Sequence, residues 1–184
     1  MFKSIPVFLI ALPVFTGPLR LLHAQVFMTQ EEALRSAFPN GERVVRQTLF
    51  LTEAQLVDIQ KLARSKVESK LVVYYRAALA EKFSGCAFFE TVIVRTKPAT
   101  LMIVVNPDSS LRLVKLLSFY EPQDYLPAPR WLRLFENKFL TAGLWPKRDI
   151  HHITGATLSV QALTLAVRRL LATYMIAVPK ESRP

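Results

Sequence analysis

Apolar residues near the end of the chain recur at three- and four-residue steps, which predicts an amphipathic helix ending at about residue 174. The positions that carry this pattern are Val160, Leu163, Val167, Leu170, Leu171 and Tyr174. Only a narrow polar stripe remains between them, formed by Gln161, Thr164 and Arg168. A helix with so little polar surface should be mostly buried.

Three apolar runs upstream are rich in β-forming residues and predict strands over 83–95, 101–105 and 111–117. The segment Asn106-Pro-Asp-Ser-Ser110 between the last two is made of turn formers. The three strands should pair as an antiparallel sheet.

The first third of the chain predicts two helices and two further strands. Thr29 with Glu32, and Thr52 with Gln55, have the spacing of capping boxes that begin helices. Strands are predicted over 43–51 and 71–75, whereas the residues just after 75 carry no clear pattern. With short helices at both ends covering one face of the sheet, the fold class is α+β.

The run Ile153–Ser159 opens the last helix and has the chemistry of an anion site. Thr154 is predicted as the N-cap, and the small residues Gly155 and Ala156 allow an anion to approach the first amides. Thr157 adds a hydroxyl in the first turn. This arrangement suits phosphate binding or a phosphoester to the side chain, although it also suits a plain helix start.

The same segment resembles the covalent-FMN motif of the FMN-binding domain family, which includes the C subunit of sodium-pumping NADH:quinone oxidoreductase and the G subunit of the Rnf complex. The family pattern is Asp, two variable residues, Ser or Thr, then Gly-Ala-Thr or Gly-Ala-Ser. The threonine that carries FMN falls on Thr157. The acidic position is occupied by His151, and Asp149 lies two residues earlier.

The resemblance extends over residues 84–174 in the family's order. Residues 119–126 look like the family's loop after the second strand, and Arg130–Phe135 looks like its short Trp-Leu-x-x-Phe helix. The resemblance implies FMN as the cofactor, an FMN-binding-domain-like fold, and Glu121 near the isoalloxazine. The alternative interpretation of Glu121 is an exposed acidic residue in the turn before Pro122.

The resemblance also implies which residues surround the phosphate. These cofactor-binding residues are Thr154, Gly155, Ala156 and Leu158, with Thr157 as the covalent attachment point.

The loop before the motif offers further charged and titratable groups. Lys147 and Arg148 either pair with the phosphate or are simply solvated. His151 and His152 are expected to line the loop that carries the phosphate. They have no carboxylate or thiol at metal-ligand spacing, so no metal site is predicted.

The first 24 residues form a separate element in front of a single domain over residues 25–184. Lys3 precedes the apolar run Ile5–Phe15, which predicts a secretory signal or a retained membrane anchor. In both cases the domain lies on the exported side, in the periplasm or at the outer face of the inner membrane.

Charge and cysteine content narrow the function classes. The net charge is +10, from 24 basic and 14 acidic residues, but the basic residues are scattered and carry no nucleic-acid signature. Anionic lipid or an acidic redox partner explains a basic surface better, and solubility alone also explains it. The single cysteine, Cys86, lies in an apolar run and should be a small buried residue.

The sequence therefore predicts an exported electron-transfer flavoprotein that receives FMN from a separate FMN transferase and meets a membrane or periplasmic redox partner. One alternative is an FMN-dependent reductase with His151 or His152 as proton donor. Another is a flavin-free interaction module of the same fold, since His151 stands at the usual acidic position.

Overall fold

The computed structural model describes residues 25–179, so the leader predicted over residues 1–24 lies outside the described residues. The strands are β1 Gln25–Val26, β2 Arg43–Phe50, β3 Leu71–Leu79, β4 Lys82–Ile93, β5 Pro98–Val105 and β6 Leu111–Phe119. The α-helices are α1 Gln30–Ala37, α2 Glu53–Ala63, α3 Pro129–Leu132 and α4 Thr157–Ala177. Short 3-10 turns span Gln123–Tyr125 and Arg133–Phe135.

The strands form one antiparallel sheet in the order β1-β6-β5-β4-β3-β2. The predicted α+β class is confirmed, as are the five predicted strands. The residues without a clear pattern complete β3 and turn into β4 at Ala80 and Glu81. Both have positive φ, 46° and 64°, the backbone that a two-residue hairpin turn needs.

Both predicted capping boxes are present. The Thr29 hydroxyl accepts the Glu32 N–H at 3.2 Å, and the Thr52 hydroxyl accepts the Gln55 N–H at the same distance. In each pair the longer side chain bonds back to the threonine N–H. These bonds satisfy donors that a helix start otherwise leaves unpaired, which fixes where α1 and α2 begin.

Helices lie on both faces of the sheet, so the expectation that they would cover a single face is wrong. Leu101 and Ile103 of β5 belong to the apolar core that includes α4. Met102 and Val104, which alternate with them, pack with Ala33 of α1. Because successive strand residues point to opposite faces, α1 and α4 cover opposite sides.

The predicted polar stripe of α4 is also largely wrong, because two of its three residues are buried. Thr164 donates to the Val160 carbonyl at 2.7 Å within the helix. Arg168 is buried against other segments. The periodic pattern identified the apolar positions correctly, but it could not reveal partners for a buried guanidinium.

Arg168 donates four hydrogen bonds to backbone carbonyls. Its Nε binds the Ala63 oxygen at 2.8 Å and its Nη2 binds the Leu62 oxygen at 3.1 Å, both at the end of α2. Its Nη1 binds the Thr141 and Leu144 oxygens at 2.8 and 3.0 Å. Burial, with Arg64 adding to it, lowers the pKa of Arg168. The four acceptors offset the cost of removing this charge from water.

α4 is the one helix within residues 25–179 that is long and apolar enough to span a bilayer. Length and composition alone give this result, and 61% of its most apolar window is buried inside the protein. Burial of this kind is typical of the central helix of a folded domain.

Replacing Arg168 with methionine tests the carbonyl network. Arg168→Met keeps an unbranched stem but leaves four carbonyl acceptors without their donor, two of them in buried bonds and two in part-buried ones. We therefore expect the free energy of unfolding to fall by about 3 kcal/mol. Urea unfolding measures the change. The exposed Arg130 provides the control, and Arg130→Met should change stability by less than about 0.5 kcal/mol. Equal losses in the two variants would contradict this role.

Candidate functional site

α4 begins at Thr157, and its N-cap is Ala156, which has no side chain that caps the helix. The prediction that Thr154 is the N-cap is therefore wrong. Gly155 adopts φ +83°, in the left-handed region, and this turn delays the start of the helix. The first-turn amides of α4 are thus left without a capping side chain. Uncapped amides and the helix dipole favour an anion at this position.

Thr157 presents the accessible hydroxyl of this first turn. Its side chain is exposed, and its Oγ1 lies 3.3 Å from Nε2 of His152. Ser159, two residues further along the helix, is buried, and its hydroxyl donates to the Tyr125 carbonyl at 2.6 Å. Of the two hydroxyls in this turn, the one open to solvent is therefore that of Thr157.

A cavity of about 270 Å³ lies against the start of α4. Its lining residues are Val94, Arg95, Tyr125, Gly155, Ala156, Thr157, Leu158 and Ser159. This volume is close to the lower end of the range for small-molecule sites, about 300 Å³. It suits a phosphate with part of its attached chain better than a whole nucleotide.

Arg95 and Tyr125 are members of the site that sequence reasoning did not assign to it. The Arg95 Nη1 donates to the Tyr125 hydroxyl at 2.9 Å, and its guanidinium lies 5.4 Å from the ring centroid. They are separated by 30 residues from each other and by still more from Thr157. No local motif connects such positions, so only the folded sheet brings them together.

Glu121 is buried, so the alternative that it is an exposed turn acid is wrong. Its Oε1 accepts the backbone N–H groups of Arg95, Thr96 and Lys97 at 3.1, 2.5 and 2.7 Å. Burial by itself raises the pKa of Glu121, but these hydrogen bonds together outweigh it and hold the pKa below 4.5. Glu121 fixes the β4–β5 turn and thereby places Arg95. A contact with a flavin ring stays a prediction.

The basic residues before the motif make contacts within their own loop. The Arg148 Nη1 donates to the Ala142 carbonyl at 3.0 Å, and its side chain is exposed. Lys147 is exposed as well. Asp149 lies against Gly143, where an added Cβ would be 2.8 Å from the carboxylate. The structure therefore brings Arg95, and not Arg148, to the cavity at the start of α4.

The two histidines differ in what they contact. His151 has an exposed side chain, and its carbonyl accepts the indole N–H of Trp131 at 2.8 Å. His152 is the one whose ring reaches Thr157. Within residues 25–179, no group of three His, Cys, Asp or Glu side chains is arranged to hold a metal ion.

Cys86 lies in β4, is not among the residues that line the cavity at the start of α4, and is fully buried as predicted. Burial raises the pKa of its thiol to about 12. The thiol therefore stays protonated at neutral pH and packs as a small apolar side chain.

No protein-family model and no curated protein matches this chain. The resemblance to the FMN-binding domain family rests on the motif residues themselves, and the roles that it implies for them stay predictions.

Glu121→Gln tests whether the carboxylate stabilises the β4–β5 turn. The glutamine keeps the shape but loses the charge, so we expect the free energy of unfolding at pH 7 to fall by about 1–3 kcal/mol. The folded-state pKa is lowered, so the carboxylate contributes its stability above 4.5 and loses it as the pH falls through the folded-state value. The difference between wild type and variant should accordingly shrink on acidification.

Chemical denaturation at a series of pH values measures this difference. Glu136→Gln changes an exposed glutamate and serves as the control. A deficit in Glu121→Gln that is the same at every pH, or no deficit at all, would contradict the role of the carboxylate charge in holding the turn.

Proposed function

We propose that this chain is an exported flavoprotein with an FMN-binding-domain-like fold, which carries FMN through a phosphoester on Thr157 and transfers electrons. One observation carries the proposal. The exposed Thr157 hydroxyl lies in the uncapped first turn of a 21-residue helix, beside a cavity that Arg95 lines.

The residues at the start of α4 fit a phosphate dianion. The uncapped amides and the helix dipole supply partial positive charge, and Arg95 supplies a full one. Nothing lies within 4 Å of the place where a Cβ on Gly155 would be, so the approach is open. None of the described residues that line this cavity is acidic. A negative ligand therefore meets no charge repulsion from its walls.

The geometry also supports a route to covalent attachment. In the transfer, a bond forms between the Thr157 Oγ1 and the flavin phosphate, while the phosphoanhydride bond of an activated flavin dinucleotide breaks and its other half leaves. The separate FMN transferase supplies that activated flavin. His152, at 3.3 Å, is positioned to accept the hydroxyl proton. A cofactor attached in this way is not lost outside the cytoplasm.

When bound, the flavin supplies the redox chemistry, and the protein supplies placement and electrostatics. The walls of the cavity offer a cation and a phenol but no carboxylate. This set suits the holding of a cofactor that exchanges electrons with a membrane or periplasmic partner. The excess of basic residues would attract an acidic partner or anionic lipid.

Substitution of Thr157 tests the attachment. In cells that co-express an FMN transferase, wild type should gain the mass of one FMN less one water and stay fluorescent in a denaturing gel. Thr157→Ala should lose both signals because it has no hydroxyl, whereas Thr157→Ser should keep them.

Ser159→Ala is the matched control, since Ser159 is buried and already bonded. It should retain the flavin. A wild-type protein that stays colourless would support the flavin-free alternative. Loss of flavin only in Ser159→Ala would show that Ser159, and not Thr157, is the attachment point.

Arg95 and Arg148 can be distinguished by non-covalent affinity. In protein made without transferase, Arg95→Gln should weaken binding of free FMN by about tenfold, the effect of losing one charge-assisted contact of about 1.4 kcal/mol. Arg148→Gln should leave the affinity unchanged, because Arg148 bonds within its own loop. Flavin fluorescence quenching measures both. The opposite pattern would place the phosphate at the 141–150 loop.

A further inference from the structure

The sheet splits where β3 and β4 diverge. Pairing between these strands ends at Tyr74 and Phe88. Beyond that pair, β3 continues to Leu71 alongside β2, and β4 continues to Ile93 alongside β5. A groove of about 670 Å³ lies in this split, with both strands on its walls and α4 beneath. We call it the β3–β4 groove.

Within residues 25–179, this part of β4 pairs with β5 on one side and with no strand on the groove side. The Val94 N–H donates to the Lys97 carbonyl at 3.1 Å, so the backbone groups of Val94 point toward β5. Backbone groups alternate in direction along a strand, so those of Thr91 and Ile93 point the opposite way, into the groove. The Thr91 and Thr100 hydroxyls lie 2.9 Å apart, which fits a pair without mutual backbone bonds.

The β3 wall differs from the β4 wall. The Lys70 carbonyl accepts the Leu51 N–H at 2.8 Å, on the β2 side, so the backbone groups of Leu71 point into the groove. Both groups are occupied, because the Ser69 hydroxyl accepts the Leu71 N–H at 3.0 Å and donates to the Leu71 carbonyl at 3.1 Å. The strand edge that can receive another chain is therefore that of β4.

Exposed apolar side chains line the groove. Leu71, Ile93 and Leu158 are 49%, 61% and 47% exposed. Large apolar side chains that stay exposed along one groove are typical of a contact site.

The floor of the groove is electrically balanced. Arg169 of α4 donates through Nε to the Glu90 carboxylate at 2.9 Å and through Nη1 to the Ser65 hydroxyl at 2.7 Å. Ala162 and Leu165 form the rest of the α4 surface here. Lys66 and Glu68 also line the groove and add one charge of each sign, so the lining has no net charge. A segment with uncharged side chains therefore suits the groove.

We propose that the β3–β4 groove binds an extended segment of a separate polypeptide, which adds to the edge of β4 as a strand. Its backbone bonds to Thr91 and Ile93, and its alternate apolar side chains point toward α4. A peptide backbone supplies donors and acceptors at the interval that the β4 edge requires. A lipid tail would leave the strand groups unpaired, at a cost in free energy.

The position of the groove connects it to the cavity at the start of α4. Val94 and Leu158 line both. A segment bound in the groove would therefore place its protein beside the flavin, a consequence that rests on the proposed function. Binding of the segment itself does not depend on flavin.

A random twelve-residue peptide library displayed on phage provides the probe. Selection against the purified protein should enrich peptides with apolar residues at alternate positions. Thr91→Pro removes the backbone donor on the open side, where proline is tolerated, and should weaken the selected peptides by about tenfold or more. Thr91→Val keeps the donor and loses only the hydroxyl, so it should bind within about twofold of wild type.

Failure to enrich any such peptide, or equal binding to Thr91→Pro, would overturn the proposal. If Thr91→Pro does not fold, hydrogen exchange in wild type decides instead. Slower exchange of the Thr91 and Ile93 amides with peptide supports the proposal, and unchanged exchange overturns it. A concentration-dependent dimer that occupies the groove in place of peptide would assign it to a second copy.

The same measurements on flavin-loaded protein and on Thr157→Ala separate the two proposals. Peptide binding in both, with flavin in only one, supports both. Peptide binding without flavin in either protein leaves the groove assignment standing and overturns the flavin one.

Discussion

A guanidinium buried among carbonyl oxygens joins three parts of this protein. Arg168 makes no ion pair within residues 25–179, yet its four bonds reach Leu62 and Ala63 at the end of α2, and Thr141 and Leu144 in the loop that leads to the motif. The end of a helix carries partial negative charge, so α2 attracts the cation as well as accepting its hydrogen bonds. The position of α4 on the sheet, and of its first turn, depends on this junction.

A second buried charge, on Glu121, fixes the β4–β5 turn beside the site, again through hydrogen bonds to backbone groups. Glu121 is held by backbone N–H groups of the β4–β5 turn, as Arg168 is held by backbone carbonyls. In both cases backbone dipoles, not an opposite charge, compensate the buried ion. The result is that Arg95 and Thr157, which lie far apart in sequence, meet at one cavity.

Periodicity and capping chemistry predicted the elements from sequence because both act over a few residues. The hairpin turn at Ala80 and Glu81 was not predicted, because both residues adopt positive φ and neither alanine nor glutamate usually forms such turns. Thr154 was misplaced as a cap because Gly155 inserts a left-handed turn before the helix. Five of the eight residues that line the cavity belong to the run Ile153–Ser159, which sequence alone marked as an anion site. The other three, Val94, Arg95 and Tyr125, reach the cavity through tertiary contacts that no local pattern encodes.

The outer edge of the sheet at β2 and the β4 edge inside the split differ in the charge of their side chains. Natural proteins protect outer edges from unwanted pairing with charged side chains. The outer strand β2 carries Arg43 and Arg46, both exposed. The β4 edge inside the split carries Thr91 and Ile93 instead, which are uncharged and whose backbone groups point into the groove. Uncharged side chains at these two positions leave the β4 edge without the protection that the arginines give to β2, and this difference favours the addition of a strand at β4.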